Sequence, residues 1–546
     1  MCLVLRRSAT DPRNLVIASR KSALARLQSY AVGEALKAQW PHLEIEYLFK
    51  ESLGDKNLDA PLWQMPEKGV FTRDLQDDLE NGRCDMVVHS WKDLPLEMPE
   101  GSEITATMER EDSRDMLLIK KSFLNQALTS GKMLSSFKVL SSSPRRAYNL
   151  ESNLRDLLPF RTEKVEFEAV RGNVPTRVAK LLKHSEAGGL ILARAAVERL
   201  LAPCPVLDLE VQDFQARLRR DLLACEWMIL PTRLNPTAAA QGALAVEIRK
   251  DREDLRVLLE RIHQPSDFED VRIEREVLGL FGGGCHQKIG VSVFRVGPQQ
   301  KRVLFLKGQR DSGEILDYEG FVENFPYPLS SGTQVPPSKI QGALWPEAPS
   351  SGVAFKRRPL ATTPSRSSLG SEPLIFVIGR SNALPENWSF STEDRVLVSG
   401  LKTWKKLALN GVWVHASFEG LGEARLESRL VDPTLRTYKF SHSGAPLLEG
   451  ELLIPTYSLE SEASEAPLVP LGVMECFWMS ASLFDEALRR DSNLLQRVRS
   501  HACGPGHTHK LILPRLQAAE AACTVYLDYE HWLRFRGAAV HSQEGG

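Results

Sequence analysis

The sequence predicts a multidomain α/β protein, and three observations carry that expectation. At 546 residues the chain is too long for one hydrophobic core and requires three or four domains. Through the first 260 residues short β-rich runs alternate with amphipathic helical patterns, the arrangement of layered α/β domains with ligands at strand ends. After a stretch without periodicity the alternation resumes, which marks a separate C-terminal α/β unit.

The first strand is expected at 14–18. Ser22 caps the helix that follows, whose Leu24, Leu27, Ala31 and Ala35 recur at helical spacing. Further strands are expected at 44–49, 86–89, 116–119, 138–141 and 189–193. Between 326 and 370, 20 of 45 residues are Pro, Ser or Gly, the composition of a mobile linker. Beyond it strands are expected at 395–399, 412–416, 452–455 and 475–479, with no internal repeat relating the halves.

Sixty-nine basic and 70 acidic residues leave a net charge of -1, so nothing draws the whole chain to nucleic acid or membrane. Any anion site must come from local clustering. No apolar run approaches the roughly 20 residues of a membrane span, and the N-terminal apolar stretch is too short for a secretory signal. Eight irregularly spaced cysteines without a CxxC pair fit reduced thiols in a cytoplasm rather than a zinc ribbon.

Such clusters exist. Arg20-Lys21-Ser22 sits where a strand meets a helix start, so free N–H groups and a guanidinium converge there. Ser141-Ser142-Ser143-Pro144-Arg145-Arg146 places three hydroxyls before paired guanidiniums, and Arg171-Gly172-Asn173 opens a turn that leads to Arg177. Singly, each reads as a solvated face; together they suit a ligand bearing many carboxylates. His89-Ser90-Trp91-Lys92-Asp93 follows an apolar strand, and its carboxylate either caps a turn or hydrogen-bonds a ligand and stabilises positive charge. In Gly282-Gly283-Gly284-Cys285-His286, glycines present a thiol at a loop tip. A Cys-His nucleophile and an inert buried cysteine are both compatible with that segment, although a core cysteine does not need the glycines.

These segments, with Lys68-Gly69-Val70-Phe71 and Gln241-Gly242-Ala243-Leu244, resemble in kind and order the hydroxymethylbilane synthase (porphobilinogen deaminase) family over about residues 14–320. The resemblance implies two periplasmic-binding-protein-like α/β lobes, 14–108 with 243–262 and 109–242. A small α+β third domain, 266–325, would carry the cofactor cysteine, followed by the linker 326–370. It implies a transferase with a dipyrromethane primer on Cys285 by a thioether. Porphobilinogen loses its amine to give an electrophilic methylene-pyrrole, which the free α-carbon of the growing chain attacks. Asp93 would assist both deamination and deprotonation, with Lys92 beside it. Arg20, Ser22, Lys92, Ser141, Ser143, Arg145, Arg146, Arg171, Arg177 and Arg199 would hold acetate and propionate groups. The partners implied are porphobilinogen and a linear tetrapyrrole, with no nucleic acid, no membrane and a monomeric state. A departure from the family is Gln64 for a basic residue. Others are Leu53 for arginine, Leu140 for glycine, Pro144 for leucine, and about fifteen extra residues between Leu201 and Pro236.

The region 371–546 is similar to uroporphyrinogen-III synthase, in shortened form, through the segment around Ser399-Gly400, through Phe477-Trp478-Met479-Ser480 and through Cys503-Gly504-Pro505-Gly506-His507. That implies a second, lyase activity or a domain that only binds. His501, Cys503, His507 and His509 crowd into nine residues, whereas structural zinc sites usually draw ligands from separated loops, so no metal is expected. The alternative for the whole chain is a non-catalytic, periplasmic-binding-like protein for an anion or tetrapyrrole.

Overall fold

The computed structural model of the chain describes residues 14–51, 73–283, 287–297, 299–327, 343–348, 354–461 and 466–536. Gln64, Leu53, the 68–71 motif and Cys285 lie outside the described residues.

Two mixed sheets form the first half. In one, Glu44–Lys50, Asn14–Arg20, Met86–Ser90, Leu244–Arg249 and Ser102–Ala106 lie in that order. Its central strand is buried through Met86, Val87 and Val88, as a strand covered on both faces must be. The second sheet runs Val165–Glu168, Phe137–Leu140, Gly189–Ala193, Asp115–Lys120, Cys225–Ile229. The chain leaves the first lobe after Ala106 and returns at Leu244, so two crossing segments join the lobes. A third body packs the helix Pro265–Leu280 on the antiparallel strands Gly290–Val296, Lys301–Gln309 and Ile315–Phe321.

The extra residues between Leu201 and Pro236 fold as a helix, Leu209–Leu222, whose N-cap Asp208 accepts from Val211 N. That helix spans the lobes: Arg26 of the first lobe pairs with Asp208 at 3.1 Å and Glu210 at 2.8 Å, and the Tyr30 hydroxyl donates to Asp208 at 2.8 Å.

The C-terminal half also has two sheets. Six strands run Phe355–Pro359, Glu451–Ser461, Thr437–His442, Ile375–Ile378, Arg395–Val398, Ala416–Ser417; four parallel strands run Ala343–Trp345, Val473–Trp478, Ser500–Cys503, Ala522–Val525. This corrects the linker expected over 326–370. Its described part supplies an edge strand to each C-terminal sheet, because short segments gain a ladder from distant partners that local composition does not register. The strand expected at 412–416 is likewise reduced to Ala416–Ser417. Its tryptophan instead turns to the second lobe, where Trp413 Nε1–H donates to the Trp227 carbonyl at 2.9 Å.

The two halves share a core. One apolar cluster runs from Leu117, Phe137 and Leu157 of the second lobe into Phe376, Val396 and Trp404 of the six-stranded sheet. Another joins Val303, Phe305 and Phe321 of the third body to Val525 and Leu527. The six-stranded sheet therefore rests on the second lobe and the four-stranded one on the third body.

Candidate active site

The residues singled out in the first half follow the C-terminal ends of parallel strands, where backbone groups are free to face a ligand. Met86–Ser90 runs into a single turn, Trp91–Asp93. Buried Trp91 pins the turn by donating its N–H to the Ala243 carbonyl at 3.1 Å and packing on Phe268. Asp93 is left exposed, its Oδ2 4.0 Å from Arg20 Nη1 at the end of Asn14–Arg20.

Lys92 turns inward and donates to Gln241 Oε1 at 3.2 Å. Burial pushes its ammonium pKa down; Asp93 and Asp115 oppose the shift, while Arg146 and Arg145 add to it. Gln241 passes the contact on, donating to Asp115 Oδ1 at 2.8 Å. Asp115 also accepts from Arg145 at 2.8 Å, Arg146 at 2.7 Å and Asn235 at 2.9 Å. Burial alone would raise this carboxyl, but the two guanidiniums outweigh it and hold it well below the usual carboxylate range.

The paired arginines therefore differ. Arg145 is held by the protein, giving Nη1 to Asn235 and the Pro236 carbonyl as well as Nη2 to Asp115. Arg146 reaches the Ile191 carbonyl, yet its Nε is buried without a partner. Arg177 gives Nε–H to the Gly172 carbonyl at 2.7 Å, and no carboxylate among the described residues pairs with it. Burial, with Arg146 and Arg171 nearby, lowers its pKa to about 10 against the pull of Asp93. Gly172 at φ +116° makes the turn, and a Cβ there would meet Thr176 Cγ2 at 2.8 Å. Arg20, Lys92, Arg146, Arg171 and Arg177 thus form one cationic group around the exposed Asp93 carboxylate.

The hydroxyls serve the backbone. Ser22 Oγ accepts from Ala25 N at 3.3 Å as a helix cap, Ser143 caps Pro144–Leu150, and buried Ser141 accepts from Ser143 N. Pro144 fits because it stands at the first helical position, where no backbone donor is lost. Leu140 is buried in the second lobe's core. Arg199 stands apart. It donates to the Gly242 carbonyl at 2.6 Å, and its charged neighbours are Glu111 and Arg429, with burial lowering its pKa to about 10.

Gly283 and Lys288 are the residues nearest Cys285 whose contacts bear on it. Gly283 packs so closely on Leu96, three residues past Asp93, that a Cβ would stand 2.0 Å from Leu96 Cδ1. Past the cysteine, the Lys288 ammonium lies over the Tyr148 ring, and a Cβ on Gly290 would meet the Pro236 carbonyl at 2.1 Å. Sequence reasoning missed Asp115, Asn235 and Glu274. Glu274, fully buried, accepts both Arg110 Nη groups and the N–H groups of Ala240 and Val293, tying the crossing segments to the third body. A lone buried acid gives no periodic signal; only the unpaired look of an Asp opening an apolar strand could have drawn attention to Asp115.

Of the four residues weighed as metal ligands, His501 is engaged at both nitrogens, by Trp478 Nε1 and the Val498 carbonyl, and His509 is buried.

A family model described as porphobilinogen deaminase, dipyromethane cofactor binding domain, matches residues 15–257. The porphobilinogen deaminase of Burkholderia orbicola is 33% identical over 343 residues, covering 62% of this chain and 91% of its own. Those of Syntrophomonas wolfei and Nostoc sp. are 36% and 35% identical, covering 50% and 51% of this chain and 78% and 77% of theirs.

Proposed function

Because the chain belongs to the porphobilinogen deaminase family, we propose that it is a hydroxymethylbilane synthase, a transferase that joins porphobilinogen units with loss of ammonia. The observation that carries the proposal is the exposed Asp93 carboxylate, 4.0 Å from Arg20 and facing the electrostatic reach of Arg177, in a cleft whose only other acid named above, Asp115, is buried and already paired with Arg145 and Arg146.

The cofactor is dipyrromethane, the group named for the matched domain. Its fit rests on the buried Arg146 Nε that lacks a partner, the desolvated Lys92 ammonium, and the glycine contact that brings Gly283 against Leu96. Cys285 is the attachment point in this proposal, with Lys92, Ser141, Ser143, Arg145 and Arg146 on the cofactor side. When bound, the group supplies a free pyrrole α-carbon at which the product grows. Asp93 accepts pyrrole N–H groups and offsets the positive charge that develops as the substrate amine departs. Burial brings Lys92 nearer the range in which an ammonium releases a proton at neutral pH. Arg20, Arg171 and Arg177 neutralise acetate and propionate groups, each pairing contributing about 1.5–3 kcal/mol in a partly dry cleft.

The second part of the proposal is that the C-terminal unit takes the linear tetrapyrrole and closes it, a lyase step. Support comes from its strand-to-helix turns. Gly400 opens Leu401–Leu409, Ser480 caps Ala481–Arg490 by accepting from Leu483 N at 3.2 Å, and Gly506 opens His507–Ala518. Such turns present N–H groups to anions.

Intact-mass measurement tests the transferase reading. Purified protein should carry an adduct of two pyrrole rings that is lost in Cys285→Ser together with porphobilinogen consumption. Active protein with an unmodified Cys285 would sink it, and a chain that binds tetrapyrrole without any adduct would be a binding protein instead.

A further inference from the structure

A cavity of about 1520 Å³ follows the seam where the first half of the molecule meets both C-terminal sheets. Arg114, Arg194 and Thr232 line it from the second lobe, and the third body's hairpin turn contributes Gly297 and Gln300. The C-terminal unit closes it with the loop that holds Ser417, Gly422 and Arg425 and with the start of His507–Ala518. Three bodies touch through glycines at its rim. Gly422 has φ +118°, a Cβ on Gly506 would stand 3.2 Å from the Gly422 Cα, and one on Gly297 would lie 3.6 Å from the Pro505 carbonyl.

Most charges in the wall are already matched. Asp112 pairs with Arg114 and Arg194, Glu111 with Arg429, and Glu419 accepts the N–H groups of Thr232 and Arg233 at 2.9 Å each. Glu109 and Glu427 are left without a basic partner among the described residues, and beside them stand several unmatched groups that suit an anion. Thr232 is 1% exposed and its hydroxyl has no partner, and the His507 Nε2 is buried without one. The helix His507–Ala518 begins without a capping side chain or an acidic residue in its first turn. Arg425 donates to the Pro433 carbonyl, and no carboxylate among the described residues pairs with it or with Lys510. A free hydroxyl, a helix N-terminus and two uncommitted cations suit carboxylates. The volume exceeds the roughly 300–1,000 Å³ of pockets for small ligands and leaves room for four linked rings.

We propose that this seam is a chamber for a polycarboxylate tetrapyrrole, and that the deaminase body supplies one of its walls through Thr232 and the neighbouring arginines. The C-terminal cleft is then completed by the deaminase rather than by its own lobes alone. The inference rests on the reading of the C-terminal unit as a tetrapyrrole-handling domain.

The test titrates the full chain with uroporphyrin, a stable porphyrin with two carboxylates per ring, by fluorescence. Circular dichroism checks that each variant is folded, and porphobilinogen consumption is measured alongside. Arg425→Glu with Lys510→Glu should weaken binding at least tenfold, and the near-isosteric Thr232→Val about threefold. Unchanged affinity in both variants overturns the chamber, as does affinity lost only in Arg177→Gln, which would put the porphyrin in the Asp93 cleft. Seam-dependent binding with an unaltered product isomer ratio upholds the chamber and sinks ring closure. Seam-dependent binding in a chain that never consumes porphobilinogen upholds the chamber and sinks the transferase reading.

Discussion

The Asp93 cleft and the C-terminal seam both gather arginines, yet they use them differently. In the cleft one buried acid, Asp115, holds Arg145 and Arg146 in place, while Arg177 has no carboxylate of its own among the described residues. Charge there is in excess and waits for a ligand. Along the seam acidic and basic side chains line the cavity in equal number, and most are spent on joining the halves. An arginine count therefore does not locate a binding site; the individual cations left without a carboxylate do, Arg177 in the cleft and Arg425 and Lys510 at the seam.

The largest effect separates chemistry from architecture. Asp93 is exposed and caps nothing, so Asp93→Ala should leave the fold and the pyrrole adduct intact while turnover falls about 100- to 10,000-fold, the range for a lost acid–base group. Adduct mass and porphobilinogen consumption, measured on the same sample, check both halves of that statement. Near-normal turnover would remove Asp93 from the mechanism and leave the cleft as a binding surface only.

The seam should respond in the opposite way, through stability. Trp404 is fully buried between the six-stranded sheet and the second lobe, and its Nε1–H donates to the Leu157 carbonyl at 3.1 Å. Trp404→Ala should cost about 3–5 kcal/mol. Because the cluster belongs to both halves, urea unfolding should show one shared transition moving to lower denaturant. If only a separate C-terminal transition moved, the shared core would carry no coupling. The same cluster makes removal of residues 371–546 a poor test of the C-terminal unit, since truncation would bare the second lobe's apolar face.

Much of the first half was legible in the sequence. Gly189–Ala193 was expected at those limits, the first strand only lacked its last two residues, and Ser22 caps its helix as its position implied. These features are local, set by alternation and by one side chain reaching one N–H. The edge strands Ala343–Trp345 and Phe355–Pro359 were hidden because each is held by a partner about a hundred residues later or more. The role of Gln241 between Lys92 and Asp115 was hidden for a related reason: it exists only once the crossing segments bring three distant positions together. Nothing local reveals either that Arg145 also gives hydrogen bonds to Asn235 and the Pro236 carbonyl, about ninety positions away.

The smallest effect distinguishes the two regions by proton uptake. In the four-stranded C-terminal lobe His501 and His531 are buried, and burial lowers both pKa values to about 4; Glu475 opposes the shift at His501 and Asp528 at His531. An unfolded histidine titrates near 6.5, so below that pH the unfolded lobe binds protons that the folded lobe refuses, and stability falls as pH falls from about 6.5 to 4. Each histidine contributes a slope of up to about 1.4 kcal/mol per pH unit. Asp115 behaves differently: its lowered pKa gives stability that is complete above the unfolded carboxylate value near 3.9 and is lost only in stronger acid. Hydrogen exchange at pH 7 and pH 5, corrected for intrinsic rates, should therefore show protection lost in segments 500–503 and 525–532 before it is lost in 115–119. His531→Phe, which removes one titrating ring, should flatten the C-terminal slope by about half. Equal loss of protection in both regions would mean that the shared core, rather than either histidine, sets the order in which this chain opens.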